Sequence, residues 1–172
     1  MTSCFFTGHR SFSYKKDPDV LDYLGNLLPI LAENGVTDFY SGGALGWDKE
    51  CEFIIYIMKK MYYPQIKLHL VLPCPPEIQS QNWSKKDKAE FKTRLEAADS
   101  VKIVSEENDK DCMKKRNARL VESGDICVCY FNRKDFRSGT GQTVRMAEKA
   151  NKIIFNLNFL RKRKINLTSN DN

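Results

Sequence analysis

Val36-Thr37-Asp38-Phe39-Tyr40-Ser41-Gly42-Gly43-Ala44-Leu45-Gly46-Trp47-Asp48 begins with β-branched and aromatic residues, breaks at glycines, and passes into an amphipathic run that reaches Met61. Val36 to Tyr40 predicts a strand, Ser41-Gly42-Gly43 a turn, and the stretch from about Ala44 to Met61 a helix. A strand feeding a helix through a glycine-rich turn is the building unit of a parallel α/β sheet.

The same order recurs on both sides of this stretch. Cys4-Phe5-Phe6 is a short apolar strand that ends at Thr7-Gly8. Asp17-Pro18 starts a helix with proline in its first turn, and Val20, Leu21, Leu24, Leu27, Leu28 and Leu31 then recur at helical spacing until Asn34-Gly35. Further on, strands are expected at Lys67–Leu72, Ser100–Val104, Asp125–Tyr130 and Lys152–Asn156. Helices are expected at Lys85–Ala98, Asp111–Ser123 and Gly139–Ala150, and Cys74–Trp83 reads as proline-rich and irregular. Strand and helix alternate throughout, which predicts one Rossmann-like three-layer α/β domain over residues 1–157. Its mostly parallel sheet of about six strands would carry helices on both faces. Residues 158–172 form a polar, basic segment without core periodicity, expected to be a disordered tail.

Composition narrows the class. The chain has 172 residues, enough for one well-buried domain, and 41% hydrophobic with 29% charged residues is ordinary for a soluble protein. No apolar run approaches the roughly 18 residues that span a bilayer, so no membrane partner is expected. Met1 to Thr7 turns polar too early for a secretory signal, so a cytoplasmic chain is expected. The six cysteines, Cys4, Cys51, Cys74, Cys112, Cys127 and Cys129, form no C-x-x-C pair and read as buried thiols. With His9 and His69 the only histidines, no metal site is expected, and nothing calls for a cofactor. Of the net charge of +6, the tail supplies +3 (Arg161, Lys162, Arg163 and Lys164 against Asp171), leaving +3 on the rest. That excess suits an anionic ligand.

Open parallel sheets bind ligands beyond the carboxyl ends of their strands. Three strand ends carry suitable residues. Thr7-Gly8-His9-Arg10 offers a guanidinium for bidentate anion contact and an imidazole that titrates near neutrality. Ser41, Gly42, Gly43 and Gly46 permit backbone amides to approach an anion at a helix N-terminus, and Asp48 in the first helical turn is a candidate for a ribose hydroxyl. This stretch is neither G-x-G-x-x-G nor a Walker loop. Ser138-Gly139-Thr140-Gly141-Gln142-Thr143 repeats the strand–turn–helix setting with hydroxyls at Thr140 and Thr143, and Ser138 or Thr140 also suits an N-cap. The helical run Met113-Lys114-Lys115-Arg116-Asn117 could lean a cation over the same place. Trp47 and Trp83 are candidates for base stacking, with packing as the plainer use.

Taken in order, F-T-G-H-R (Phe6–Arg10), S-G-G-A-L-G-W-D (Ser41–Asp48), L-P-C (Leu72–Cys74), W-S-K-K-D (Trp83–Asp87), C-M-K-K-R-N (Cys112–Asn117) and S-G-T-G-Q-T-V (Ser138–Val144) resemble the YpsA-like branch of the SLOG superfamily. That superfamily also holds the LOG phosphoribohydrolases and DNA-processing protein A. The resemblance implies a Rossmann-like fold, a pocket for nucleotide-derived molecules that includes Pro73, Arg116 and Asn117, and a leaning towards homodimers. The LOG enzymes carry M-x-x-R followed by Lys on a helix and P-G-G-x-G-T-x-x-E on a later loop. Here Met113–Arg116 matches the first with Asn117 in place of Lys, Gly139-Thr140 matches the G-T of the second, and the family's catalytic glutamate falls on Thr143.

A neutral hydroxyl cannot stabilise the oxocarbenium-like transition state of N-glycoside cleavage as a carboxylate does. Glu148 lies five residues further along the same helix and points elsewhere. The leading expectation is therefore a protein that binds a nucleotide-derived small molecule as a sensor or sequestering protein. The enzymatic alternative, a phosphoribohydrolase or N-glycosidase, would need His9, Asp48 or Glu148 to replace the glutamate, with Arg116 on the substrate. A single-stranded nucleic-acid binder is the third reading. The tail and a pI near 9.0 favour it, but no stripe of aromatics among Lys and Arg supports it, and nucleic acid is not an expected partner.

Overall fold

In the computed structural model, residues 2–107 and 109–159 are described. The strands are β1 (Thr2–Gly8), β2 (Val36–Ser41), β3 (Lys67–Leu72), β4 (Ser100–Ile103), β5 (Ile126–Tyr130) and β6 (Ile153–Asn156). The helices are α1 (Pro18–Glu33), α2 (Trp47–Met61), α3 (Pro76–Gln79), α4 (Lys85–Ala97), α5 (Cys112–Ser123) and α6 (Gly139–Lys149), with a 3-10 turn at Arg133–Asp135. All strand pairs are parallel and the sheet order is β4-β3-β2-β1-β5-β6. This is the Rossmann-like α/β layout that the alternating pattern predicts.

Alternation along each strand builds two cores. Cys4 and Phe6 of β1, with Ile126, Val128 and Tyr130 of β5, face α1, α2 and Phe91 of α4. Phe5, with Cys127 and Cys129, faces Leu120 and Val121 of α5 and Val144 and Ala147 of α6. The middle of β1 and all of β5 are buried on both faces, which is why Cys4-Phe5-Phe6 and Ile126–Tyr130 read as unbroken apolar runs. Towards the β4 edge, His69 joins three strands, with Nε2 2.9 Å from Asp38 Oδ1 and Nδ1 2.7 Å from Ser100 Oγ. The six cysteines are buried.

Several boundaries differ from expectation for local reasons. α2 starts at Trp47 rather than near Ala44, because Gly46 sits at φ 73°, outside helical backbone. The stretch after Pro73 holds the one-turn helix α3, nucleated by Pro76 at its first position. Of the expected basic tail 158–172, only Asn158 and Phe159 are described. Asn158 is buried, and the Phe159 ring meets Tyr23 of α1 edge-on at 6.0 Å. The disorder expected of residues 160–172 lies outside the described residues. No helix among the described residues is long and apolar enough to cross a membrane.

The chain builds outward from β1 through β2 and β3 to β4. α5 then carries it back across the sheet to β5, on the other side of β1. The strand order therefore reverses between β1 and β5, and the carboxyl ends of these two strands diverge there into a crevice.

Candidate functional site

A cavity of about 370 Å³ opens at this reversal. Thr7, Gly8, His9 and Arg10 enter it from the end of β1, and Ala44 and Asp48 from the turn after β2 and the start of α2. Met113, Arg116 and Asn117 of α5 form one wall, and Ser138, Gly139 and Thr140 at the start of α6 form the other. The three strand-end segments singled out in the sequence thus meet at one place.

The α6 wall is built to hold its amides in place. Ser138 Oγ accepts from Gly141 N at 3.1 Å, and Gln142 N donates to Ser138 O at 2.9 Å. The carbonyl of Gly139 accepts from Thr143 Oγ1 at 2.9 Å and from Asn117 Nδ2 at 3.4 Å, which ties α6 to α5. Helical geometry leaves the N–H groups of Gly139 and Thr140 without intrahelical acceptors, beside the cavity and at the positive end of the helix dipole.

Arg116 provides the second cationic element. It is only 7% exposed, its Nη1 lies 3.7 Å from Asp48 Oδ2, and its Nε has no hydrogen-bond partner among the described residues. Gly42 makes room for it: a Cβ there would coincide with the Arg116 guanidinium. Burial pulls the Arg116 pKa down, Asp48 opposes that, and the neighbouring Arg10 charge lowers it further. Burial likewise raises the Asp48 carboxyl, opposed by Arg116 and by a 3.3 Å bond from Ala44 N. Two guanidinium groups and a helix N-terminus therefore share one carboxylate, and the balance at the cavity is positive.

His9 lines the cavity with both its ring and its backbone engaged. Its Nε2 accepts from the main-chain N–H of Asn132 at 3.0 Å, so the ring is neutral with its proton on Nδ1. Burial lowers its pKa, with Asp135 acting in the opposite sense. Its backbone N donates to Tyr130 O, and its carbonyl accepts from Phe12 N and Trp47 N. His9 thus fastens the β1 end to the β5 loop and to the first turn of α2.

The other sequence candidates stand behind the walls. Ser41, Gly42, Gly43, Gly46, Gly141 and Thr143 do not line the cavity, while Pro73 lines an adjoining one. Ser41 Oγ donates to Glu52 Oε1 at 2.5 Å, and Thr143 is fully buried with its hydroxyl on Gly139 O. Glu148 is exposed on the outer side of α6. Trp47 is fully buried, its ring stacked on Tyr130 and its indole N–H donating to Val128 O at 3.3 Å, while Trp83 packs on Phe91. Both tryptophans serve packing.

A buried pair beneath the glycine turn has no counterpart in the sequence reading. Arg94 Nη1 of α4 lies 2.6 Å from Glu52 Oε2 of α2 and 3.3 Å from Ala44 O. Glu52 is 1% exposed, and burial pushes its pKa up to about 7 against the opposing charge of Arg94. Glu52 lies one helical turn beyond Asp48, so its place on the same face of α2 was readable. Its partner, 42 residues away, was not.

Residues 4–165 match YpsA, described as the YspA SLOG family. The SPbeta prophage-derived protein YoqJ of Bacillus subtilis (strain 168) is 28% identical over 151 residues, covering 78% of this chain and 85% of YoqJ. UPF0398 protein ABC2016 of Shouchella clausii (strain KSM-K16) is 29% identical over 133 residues, covering 76% of this chain and 67% of that protein. Among solved structures, DNA processing protein A from Helicobacter pylori, described with a single-stranded DNA binding mode, superposes with a TM-score of 0.62 at 20% identity. That likeness covers 90% of this chain and 64% of the other, so this chain spans under two-thirds of that relative's length.

Proposed function

The chain belongs to the YspA SLOG family, and on that footing we propose that it binds a small nucleotide-derived molecule by its phosphate in the cavity between α5 and α6. The observation that carries this reading is the meeting of buried Arg116 with Gly139 and Thr140, whose amides the helix leaves without intrahelical acceptors, at one cavity of about 370 Å³. A phosphate oxygen accepts from both elements at once and offsets the excess positive charge. The volume lies in the range of small-molecule sites.

Binding is favoured over hydrolysis by what lines the cavity. Asp48 is the one carboxylate among the lining residues, and it is engaged by Arg116 and Ala44 N. Thr143, at the position of the catalytic glutamate in the LOG enzymes, spends its hydroxyl inside α6. The His9 Nε2 lone pair is taken by a backbone amide.

A second reading, single-stranded nucleic acid at the same mouth, has its own observation. Phe136 is 54% exposed, the Arg137 guanidinium lies 5.4 Å from its ring centre, and both directly precede Ser138. An exposed ring with cations beside it suits an unstacked base, and DNA processing protein A, which shares the fold, is described as binding single-stranded DNA.

Calorimetric titration with AMP, ADP-ribose, pyrophosphate and a short oligothymidine separates the readings. We expect at least one small molecule to bind with a Kd below about 100 µM and to be recovered intact after prolonged incubation. Binding weaker than about 1 mM for every compound would remove the proposal. An oligonucleotide bound about tenfold more tightly than AMP, and lost with Phe136→Ala, would shift the assignment to nucleic acid.

A further inference from the structure

The outward face of α2 is apolar where a surface helix is ordinarily polar. Phe53 is 59% exposed, Ile57 38% and Met61 62%, with the exposed rings of Tyr56 and Tyr62 beside them. Phe53 stands between two grooves. One, of about 380 Å³, runs between α1 and α2 and is lined by Gly25, Pro29, Ile57 and Tyr62. The other, of about 480 Å³, runs between α2 and α4 past Lys49, Glu90 and Thr93. None of these residues lines the cavities at the strand ends, so this face is independent of the phosphate reading.

Two residues that weaken α1 keep the first groove open. Gly25 lies in the middle of the helix, its φ is not positive, and a Cβ there would meet nothing within 4 Å. Neither crowding nor backbone conformation calls for glycine at this position, which costs a helix about 1 kcal/mol relative to alanine. Four residues on, Pro29 has no N–H to donate to the Gly25 carbonyl. Both substitute bare space for side chain on the wall that faces Phe53 and Ile57.

The pattern of α2 identifies what fits this space. Glu50, Phe53, Ile57 and Lys60 follow one another at spacings of three, four and three, forming one stripe along the outward face. That spacing is the same read in either direction. Two copies of α2 laid antiparallel about a two-fold axis therefore bring Phe53 against Ile57 of the second copy and Glu50 against Lys60 of the second copy, each contact occurring twice. Within one chain these end charges are poorly used. Among the described residues Glu50 forms no ion pair, and the Lys60 ammonium meets the ring of its neighbour Tyr56, 5.7 Å from the centre.

We propose that the outward face of α2, with the α1–α2 groove beside it, is a self-association surface on which a second copy of this chain docks with its α2 antiparallel. The apolar centre of the stripe supplies the contact and the unlike charges at its ends set the direction. A single helix and its flanking groove make a small interface, so the dimer is a micromolar one.

The test is sedimentation velocity of the full chain over a range of concentrations, with thermal unfolding of each variant as the control for folding. The parent is expected to dimerise with a Kd below about 50 µM. Gly25→Gln fills the groove while strengthening α1, and Phe53→Lys puts a charge on the exposed centre. Each should weaken the dimer at least about tenfold. Glu50→Lys and Lys60→Glu should each weaken it as well, because each sets like charges face to face. The two changes together should restore it to within about threefold of the parent. A parent that stays monomeric at about 200 µM would overturn the proposal and leave this face to a different partner. A dimer unchanged by Gly25→Gln and Phe53→Lys would place the contact elsewhere and overturn it too. A charge-swapped pair no tighter than its single variants would overturn the antiparallel arrangement.

Discussion

Arg94→Met is expected to lower the stability of the protein by about 3–5 kcal/mol at pH 9, and by less than half of that at pH 6. Glu52 is almost fully enclosed, and its two carboxylate oxygens are held by Ser41 Oγ and Arg94 Nη1. Removing the cation leaves an uncompensated charge in the core whenever the carboxyl is ionised, and that residual charge is the expensive part.

The pH dependence follows from the direction of the shift. In the parent, burial already raises Glu52 from 4.5 to about 7. The folded state therefore holds a proton that the unfolded state has released, and this contribution to stability declines as pH rises between those values. Without Arg94 the folded value moves higher still, while the unfolded value is unchanged. Parent and variant therefore run in parallel below about pH 7 and diverge above it. Urea denaturation at the two pH values reads the difference directly. A gap that is constant, or that shrinks towards pH 9, would mean that Glu52 is not charged beside Arg94. The same variant also loses the bond from Arg94 to Ala44 O, so the glycine turn should loosen with it.

The second large effect concerns the cavity itself. The paired substitution Asp48→Asn with Arg116→Met is expected to weaken AMP binding by about 100-fold, the scale of a charge-assisted, two-point anion contact. Arg116→Met alone would strand Asp48, whose carboxyl is buried and already raised in pKa. Changing both partners removes the charge from the core together with its compensation, a change that cores tolerate far better than half a pair. Thermal unfolding of the double variant near that of the parent, with binding lost, is the expected combination. Retained affinity in the folded double variant would assign the anion to some other group.

Much of this architecture is visible in the sequence. Strands β1 and β5 lie inside a parallel sheet, where burial on both faces writes continuous apolar runs such as Ile126–Tyr130. The convergence of Thr7–Arg10, Ala44–Asp48 and Ser138–Thr140 follows from topology, since strand ends of a parallel sheet share one edge. Less visible was the division between residues that face the cavity and residues that hold its wall. Ser41, Gly42 and Thr143 belong to the glycine-rich segments, yet their side chains or close approaches point inward, to Glu52, Arg116 and Gly139.

Polarity alone does not distinguish a hydroxyl that caps a neighbour from one that meets a ligand. His9 shows the same limit. Its pKa range suggests acid–base chemistry, but its contact with Asn132 N spans 123 residues and no local pattern encodes it. The Glu52–Arg94 pair was hidden for a similar reason, because α4 reaches α2 only through the tertiary fold.

The central claim is that the first-turn amides of α6 face the bound anion. Titration of AMP into the ¹⁵N-labelled full chain, followed by amide chemical shifts, addresses it directly. The largest saturable changes are expected at Gly139 and Thr140. Saturable binding that leaves those two amides unmoved, with the changes elsewhere on the molecule, would contradict it.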